Sequence, residues 1–426
     1  MLTGRGGRTL DDWLQWQQRV HVLGIDLGLE RVARVAQRLD LSQPACPVIT
    51  VAGTNGKGST VAHLGAFARA AGLRDGSFTS PHLRHYRERI AVGGVAATDA
   101  ELIASFERIE QARGDITLTF FEFNALAALD CFRNAGVDVL LLEVGLGGRL
   151  DATNVIDADV AVICSIGFDH RDWLGDTLDD IGREKAGILR AQRPVVLGAS
   201  DLPASVHAAA AALGCPVWQF GVSHAVQRLA QERWTYRGKR WQFAQLPPSA
   251  LPGALQYVNA ANALAAFEAL GQRAPPLDGV RVAAALRAVR LQGRMQVFEL
   301  RPQWILDVAH NEPAAQALAL GLRQSSINGR TWAIAGMLAD KDIEAVGRAL
   351  ASVIDGWILV GTEDEPRGIS AEKLRARLPP SCVDVARCAS VARGCEAARR
   401  IAAREDRIVV LGSFHTVGPA LDWLGL

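Results

Sequence analysis

No part of this 426-residue chain approaches the run of about 18 apolar residues that a membrane-spanning helix needs. Its first 21 residues also hold no apolar run long enough for a secretory signal. An excess of either charge is missing too, since 46 basic residues stand against 45 acidic ones. This balance gives no reason to expect nucleic acid or an anionic membrane as a partner. We therefore expect a cytoplasmic protein whose partners include neither nucleic acid nor a membrane.

The seven cysteines are scattered along the chain and include no CxxC pair. With 49% hydrophobic residues, the chain can build a large core without cross-links. An odd number of cysteines in such a chain is typical of reduced thiols in the cytosol. The sequence also lacks internal repeats and low-complexity segments, and its length predicts two or three domains of about 150 residues each.

The most informative segment covers residues 48–60, where a β-branched strand runs into a glycine-rich turn and then into a helix. The turn reads Gly53-Thr54-Asn55-Gly56-Lys57-Gly58-Ser59. Glycines let backbone N–H groups approach phosphate oxygens, while the helix N-terminus and the lysine supply positive charge. The spacing differs from the common phosphate-binding pattern, and a plain turn with a solvated lysine is the alternative. Because strand, turn and helix all agree, we interpret the segment as a nucleotide phosphate cradle.

Strands alternate with helices along most of the chain, which predicts an α/β fold with a mostly parallel sheet. The predicted strands are 48–53, 137–144, 160–166, 194–197, 304–309, 332–337, 357–360 and 408–411. Helices are predicted to end near Asp40 and to cover residues 120–132, and a surface loop is predicted at 79–82. The segment 215–250 instead resembles short antiparallel strands at an edge. We predict an N-terminal P-loop domain over 1–292 and a smaller C-terminal Rossmann-like α/β domain over 293–426.

Charged side chains stand where two of the buried strands end. Glu143 closes one strand, and Asp169 and His170 follow the next. Ligands bind at the carboxyl ends of parallel strands, so these groups and a hydroxyl could hold Mg²⁺ beside the cradle, although histidine is an unusual magnesium ligand. The alternatives are an exposed strand-end glutamate and a packed core histidine. For Lys185 and Arg294, the residues alone equally allow a solvated surface role.

In combination, the motifs of this chain are specific for one family. The chain resembles the folate branch of the Mur ligase superfamily, which contains folylpolyglutamate synthases and, closest in pattern, bifunctional dihydrofolate synthase/folylpolyglutamate synthases. The resemblance covers nearly the whole chain and rests on seven motifs: 26–31, 51–59, 79–83, 142–154, 169–170, 182–188 and 412–415.

The resemblance implies an ATP-dependent acid–amino-acid ligase. It would add L-glutamate to dihydropteroate and to folates through an acyl phosphate. Expected cofactors are ATP and two Mg²⁺ ions, with a monovalent cation as a further candidate, and a monomer is expected. The implied ATP-binding residues are Thr54, Asn55, Gly56, Lys57, Gly58, Ser59, Asn259, Arg294 and Asp307.

The resemblance also implies the metal ligands and the catalytic groups. The metal ligands would be Ser80, Glu143, His170 and Lys185, the last as a carbamate. The implied catalytic residues are Lys57, Lys185, Arg294 and His310. Ser413 and His415 are candidates for the glutamate pocket. A pterin pocket is implied at Leu27, Gly28, Leu29, Glu30, Thr119, Phe120, Phe121, Glu122, Leu150, Asp151 and Ala152.

Two positions depart from the family pattern. Leu255 replaces the usual histidine before Gln256, and Glu312 is inserted between Asn311 and Pro313. Four other functions stay open: a synthase that only extends polyglutamate, a peptidoglycan Mur ligase, a small-molecule kinase, and a nucleotide-gated binding protein without catalysis.

Overall fold

The computed structural model describes residues 7–325, 327–365 and 367–426. The first of its two large sheets has eight strands in the order β4-β3-β2-β5-β1-β6-β7-β8. These strands are β1 (Val48–Ala52), β2 (Asp75–Phe78), β3 (Ile90–Val92), β4 (Val95–Ala96), β5 (Val139–Glu143), β6 (Val160–Ile163), β7 (Val195–Leu197) and β8 (Val217–Gln219). All pairings from β2 to β8 are parallel, whereas β3 and β4 add an antiparallel edge. The mostly parallel sheet predicted from the sequence is therefore confirmed.

Strand β1 occupies the centre of this sheet, between β5 and β6. Its residue Val51 is level with Glu143, and Ala52 is level with Ile163. All residues of the three strands are buried, as expected when helices cover both faces. The carboxyl ends of β1, β5 and β6 therefore lie side by side. The chain continues from β1 to β2 on one side of β1, and later from β5 to β6 on its other side. Such a switch point opens a crevice for ligands.

Ten helices surround the first sheet. They are α1 (Leu10–Val20), α2 (Glu30–Arg38), α3 (Lys57–Ala70), α4 (Asp99–Arg113), α5 (Phe120–Ala135), α6 (Arg171–Leu174), α7 (Leu178–Ala186), α8 (Ala204–Ala212), α9 (Leu255–Ala269) and α10 (Gly279–Ala288). Helix α3 packs with α9 and α10 around Phe67 and Leu264, whereas α1, α2, α4 and α5 build a separate core around Phe106 and Phe123. Every residue from Gly58 to Ala68 except the half-buried Ala62 is buried, so the helix that follows the cradle is fixed by packing on all sides.

The segment 215–250 is only partly as predicted. Three antiparallel strands do form there, but they make a sheet of their own: β9 (Ala225–Arg228), β10 (Trp234–Arg237) and β11 (Gln242–Leu246). Strand β8 from the same segment instead extends the first sheet in parallel to β7. Aromatic side chains of β10 are fully buried against α9, which explains why this segment is rich in Trp and Tyr.

The second large sheet has six strands in the order β12-β13-β17-β14-β15-β16. They are β12 (Gln296–Phe298), β13 (Gln303–Leu306), β14 (Thr331–Ala335), β15 (Gly356–Val360), β16 (Asp384–Cys388) and β17 (Arg407–Leu411). Five helices cover it: α11 (Glu312–Gln324), α12 (Ile343–Leu350), α13 (Ala371–Arg377), α14 (Val391–Ile401) and α15 (Phe414–Leu424). Separate apolar cores on its two faces confirm a second α/β unit.

Strand boundaries differ from the predicted ones by at most three residues, because several predicted ends are turns that carry polar side chains. The predicted strand 160–166 ends at Ile163, and the predicted strand 304–309 ends at Leu306. Strands β2, β3, β4, β12 and β16 were not predicted, since they are short or carry exposed residues. Within the described part of the chain, no helix combines the length and apolar character that crossing a membrane requires.

The loop predicted at 79–82 forms after β2, with Pro81 exposed, and its continuation docks on the second unit. Leu83 packs into the core formed by β13, β17 and α15, and Arg84 pairs with Asp422 of α15 at 2.6 Å. The carbonyl of Leu83 lies directly over Gly418, where any Cβ would overlap its oxygen. This contact joins the loop that carries Ser80 to the second unit.

Replacing Gly418 with alanine should push this loop off α15. Overpacking of this kind costs about 1–3 kcal/mol, so amide hydrogens of residues 80–88 should exchange roughly 5 to 150 times faster, as measured by mass spectrometry. The exposed Pro419→Ala variant on the same helix is the control and should leave the exchange unchanged. Unchanged exchange in Gly418→Ala would show that the loop is held by other contacts.

Candidate functional site

The cradle lies at the carboxyl end of β1 and is clamped by the turn that follows β6. The backbone N–H of Thr54 donates to the carbonyl of Ser165 at 2.8 Å, and that of Asn55 donates to the Ser165 hydroxyl at 3.0 Å. The hydroxyl of Thr54 and the backbone of Gly167 exchange two further hydrogen bonds of 3.0 Å. The cradle is therefore held in shape by the turn that follows β6.

Gly56 caps α3 with a left-handed backbone, at φ +88°. A Cβ at this position would lie 2.7 Å from Oδ1 of Asn259, which reaches the cradle from α9. Asn259 is itself held by Gln256 at 3.2 Å. The N-terminus of α3 fits an anion such as a phosphate group. Leu255, where the family usually has a histidine, begins α9 and is half exposed.

Two lysines converge on one backbone oxygen of the cradle. The Nζ of Lys57 lies 3.0 Å from the carbonyl of Gly53, and the Nζ of Lys185 lies 3.2 Å from the same oxygen. Lys185 is 5% exposed, which contradicts the alternative of a solvated surface lysine. Burial, together with the charge of Lys57, lowers the pKa of Lys185 to about 7. Its amine is therefore substantially uncharged at neutral pH.

Glu143 is only 5% exposed, so it is not the exposed strand-end glutamate that the sequence allowed as an alternative. Its Oε2 accepts the backbone N–H of Ser80 at 3.1 Å, which brings the carboxylate and the Ser80 loop together. Burial raises the pKa of Glu143, and the charges of Lys57 and Arg294 oppose that shift. A buried carboxylate beside a serine provides the oxygen ligands that Mg²⁺ prefers.

His170 follows β6 in the left-handed conformation, at φ 52°, and faces the crevice as no core histidine would. Burial and the nearby Lys341 lower its pKa to about 4, so the imidazole is neutral, as a metal ligand must be. The adjacent Asp169 accepts Lys341 at 2.6 Å. Burial alone would raise the pKa of Asp169, but hydrogen bonding to His310 and the charges around it lower that pKa. The described residues contain no preformed cluster of three or more metal-ligating side chains, so a metal here would need oxygens from nucleotide or a modified lysine.

The second unit brings four polar residues to the same crevice. His310 lies 3.5 Å from Asp169, and Asn311 bonds both Asp169 and Asn55 at 3.0–3.1 Å. Arg294 lies over the ring of Phe414 at 5.3 Å, so it is no solvated linker residue. Asp307 accepts the backbone N–H groups of Met295 and Ala309 at 2.7 Å. The extra Glu312 is the first residue of α11, and Asn311 is the N-cap of that helix.

A cavity of about 330 Å³ lies between the two units and reaches from the crevice to α5. Most of the predicted pterin residues line it, together with Ser80, His170, His310, Ser413 and His415. Leu29 and Glu30 do not: Leu29 packs into the core behind α2, and Glu30 is exposed. The walls are largely apolar, with Phe120 and Phe121 on one side and Leu146 on the other. Such a cavity suits a flat aromatic ligand.

Several polar residues of this predicted pocket are already engaged by the protein. Asp151 accepts four hydrogen bonds from Gly145, Leu146 and Thr153, and so shapes the turn after β5. Glu122 and Thr119 form the capping box of α5. Ser413 caps α15, and His415 pairs with Glu365 at 2.9 Å. These residues therefore shape the cavity, and apolar side chains provide most of its free surface.

Two residues of the crevice escaped the sequence prediction of the site. Asn311 was given no role in the site, and Lys341 lies in a turn after β14 that carries no recognisable motif. Lys341 is 6% exposed and contacts both Asp169 and His170 across the two units. Only the arrangement of the two sheets reveals it.

Comparison with known proteins decides the family. The model of the Mur ligase middle domain matches residues 51–270, and that of the Mur ligase, glutamate ligase domain matches residues 293–414. The chain is 42% identical to the dihydrofolate synthase/folylpolyglutamate synthase of Escherichia coli (strain K12), over 99% of this chain and 96% of that protein. This chain belongs to the Mur ligase family.

Solved structures place it in the folate branch of the Mur ligases. E. coli FolC in complex with DHPP and ADP matches with a TM-score of 0.93 at 41% identity, covering 99% of both chains. A bifunctional folylpolyglutamate synthase/dihydrofolate synthase from Yersinia pestis, complexed with AMPPNP and Mn ion, matches with a TM-score of 0.91 at 43% identity over the full length of both. The predicted family and fold are thus confirmed, and the kinase and binding-protein alternatives lose their support.

Replacing Gly56 with alanine should weaken nucleotide binding, because the new Cβ would push Asn259 from its place beside the cradle. We expect the affinity for ADP, measured by calorimetry, to fall on the order of 100-fold, as a loss of about 2–3 kcal/mol would give. Gly72→Ala is the matched control, since Gly72 follows the other end of α3 at φ +82° with no atom near its Cβ position. Equal losses in both variants would mean that backbone strain, and not the cradle, is responsible.

Proposed function

We propose that this Mur ligase uses ATP to join L-glutamate to dihydropteroate and, in a second activity, to folates and folylpolyglutamates. The observation that carries the proposal is the continuity of the site: one cavity leads from the phosphate cradle, past Glu143 and His170, to the apolar walls around Phe120 and Phe121. Its relatives of 41–43% identity are named for these activities and were solved with nucleotide, with DHPP or with manganese.

Amide formation from a carboxylate requires an activated acyl group. In our proposal, the carboxylate of the pterin substrate attacks the γ-phosphate of ATP, giving an acyl phosphate and ADP. Lys57 and the backbone of residues 54–59 hold the phosphates, Asn259 and Asp307 contact the nucleotide, and Arg294 neutralises the charge that develops. His310 lies close to the transferred phosphate.

Mg²⁺ fits the donor set around the cradle, since Ser80, Glu143 and His170 converge there and His170 is neutral. We propose two such ions, the second held by Lys185 after carbamylation. When bound, they neutralise phosphate charge and polarise the phosphoryl oxygens. A carbamate on Lys185 would also replace a repulsive contact with Lys57 by an attractive one, which favours the modification.

The amine of glutamate then attacks the acyl phosphate and releases phosphate. Water must be kept from this intermediate, and the contacts of Asp169 with Lys341 and Asn311 close the two units over it. We further propose that the units correspond to residues 1–292 and 293–426, that the protein works as a monomer in the cytoplasm, and that a monovalent cation supports the site.

An ADP-release assay with mass analysis of the products tests the function. We expect release with dihydropteroate plus glutamate and with tetrahydrofolate plus glutamate, and none with a sugar-nucleotide peptide. Release with tetrahydrofolate alone would indicate a synthase that only extends polyglutamate. Release only with the peptide would indicate a peptidoglycan ligase, and no release at all would indicate a nucleotide-binding protein without catalysis.

Carbamylation of Lys185 should depend on pH, because only the uncharged amine reacts with CO₂. Burial lowers the pKa of Lys185 to about 7, so the reactive amine is scarce at pH 6 and predominates at pH 8. With ¹³C-bicarbonate, a carbamate signal should therefore grow between pH 6 and 8 in NMR spectra, together with activity. It should be absent in Lys185→Arg and present in Lys239→Arg, the control at an exposed lysine. A wild-type protein without this signal at pH 8 would contradict the proposal.

A further inference from the structure

Arg89 is a buried cation without an acidic partner. It ends the short 3-10 helix Tyr86–Arg89 that follows the Ser80 loop, is 8% exposed, and lines the interdomain cavity. Among the residues that the structure describes, no carboxylate oxygen lies within 4.0 Å of its guanidinium group. Glu143 and Glu88 act on it only from farther away. A buried charge is normally paired, because its desolvation is costly.

The groups around Arg89 do not compensate its charge. Its Nε donates to Nδ1 of His82 at 2.8 Å, and its guanidinium lies 5.6 Å from the ring of Phe120 and 5.9 Å from that of Tyr86. Burial and Arg89 itself lower the pKa of His82 to about 4, so this histidine is a neutral acceptor. The two terminal nitrogens of the guanidinium make no hydrogen bond to the described residues.

The nearby carboxylates have other tasks. Glu88 accepts the backbone N–H groups of Leu83, Arg84 and His85, so it closes the turn beside Arg89. Glu143 faces Ser80 and the cradle, and in the proposed function it holds metal. Arg89 lines the cavity, and its two terminal NH₂ groups are left for a ligand; one N–H of each suits a bidentate carboxylate.

We propose that Arg89 binds a carboxylate of a substrate at the inner wall of the cavity. The proposal rests on the proposed function, in which two substrates carry such a group: glutamate with two carboxylates, and the pterin substrate with the one that is activated. Arg89 thus binds substrate, and it is separate from the residues proposed to hold ATP and metal. Both substrates offer a carboxylate, and steady-state kinetics shows which of them Arg89 binds.

The test compares Arg89→Met and Arg89→Lys with wild type in steady-state assays that vary glutamate and dihydropteroate separately. Loss of a buried charge pair should raise KM for the substrate whose carboxylate it binds on the order of 100-fold. The KM for the other substrate and the affinity for ADP should stay within about threefold, since Arg89 does not touch the cradle. Arg89→Lys should recover part of the loss, because it restores the charge without the bidentate geometry.

Arg87→Met is the matched control, because Arg87 lies on the same turn, carries the same charge and is exposed. If glutamate is the ligand, its α-amide and γ-amide identify the carboxylate: the amide that lacks it should be used equally by wild type and Arg89→Met. A fall of kcat with no selective rise of either KM and no recovery in Arg89→Lys would overturn the proposal. Unchanged kinetics would overturn it as well. A wild type that forms no amide product would overturn the proposed function itself.

Discussion

The carbonyl oxygen of Gly53 accepts hydrogen bonds from two lysines, and the rest of the site is arranged around that concentration of positive charge. The oxygen stands at the carboxyl end of the central strand, where Glu143 and His170 arrive from the neighbouring strands. Burial keeps water from screening the lysines, so the protein itself must limit their repulsion. It does so partly by lowering the pKa of Lys185. Anionic ligands complete the balance, which gives a physical reason for a nucleotide at this place.

The second constraint is the meeting of the two units at Asp169. Its carboxylate belongs to the first unit, whereas Lys341, Asn311 and His310 belong to the second. Asn311 also exchanges two hydrogen bonds with Asn55 of the cradle, so the second unit contacts the phosphate site directly. The relative position of the units and the shape of the cradle are thus linked through a few polar contacts.

The sequence predicted the parts of the site that follow local patterns. The cradle, Glu143 and His170 could be predicted because a buried parallel strand and the polar residue at its end are adjacent in the chain. Lys341 and Arg89 were not found, since each owes its position to packing between distant segments: Lys341 reaches Asp169 across 172 residues, and Arg89 is buried by α5. Leu29 and Glu30 were expected at the cavity on family resemblance, but the start of α2 turns them away from it.

The strand order was beyond local patterns as well. Hydrophobic runs located the central strands, but β8 was assigned to the antiparallel group because its segment is rich in aromatic residues.

Between α10 and β12 the chain passes only once from the first unit to the second. With one covalent connection, the polar contacts of the crevice help to hold the units together, beside the packing of Leu83 and the Arg84–Asp422 pair. A substitution that tightened the interface would therefore delay the escape of ADP and the lengthened product, and a more stable protein would be a slower one.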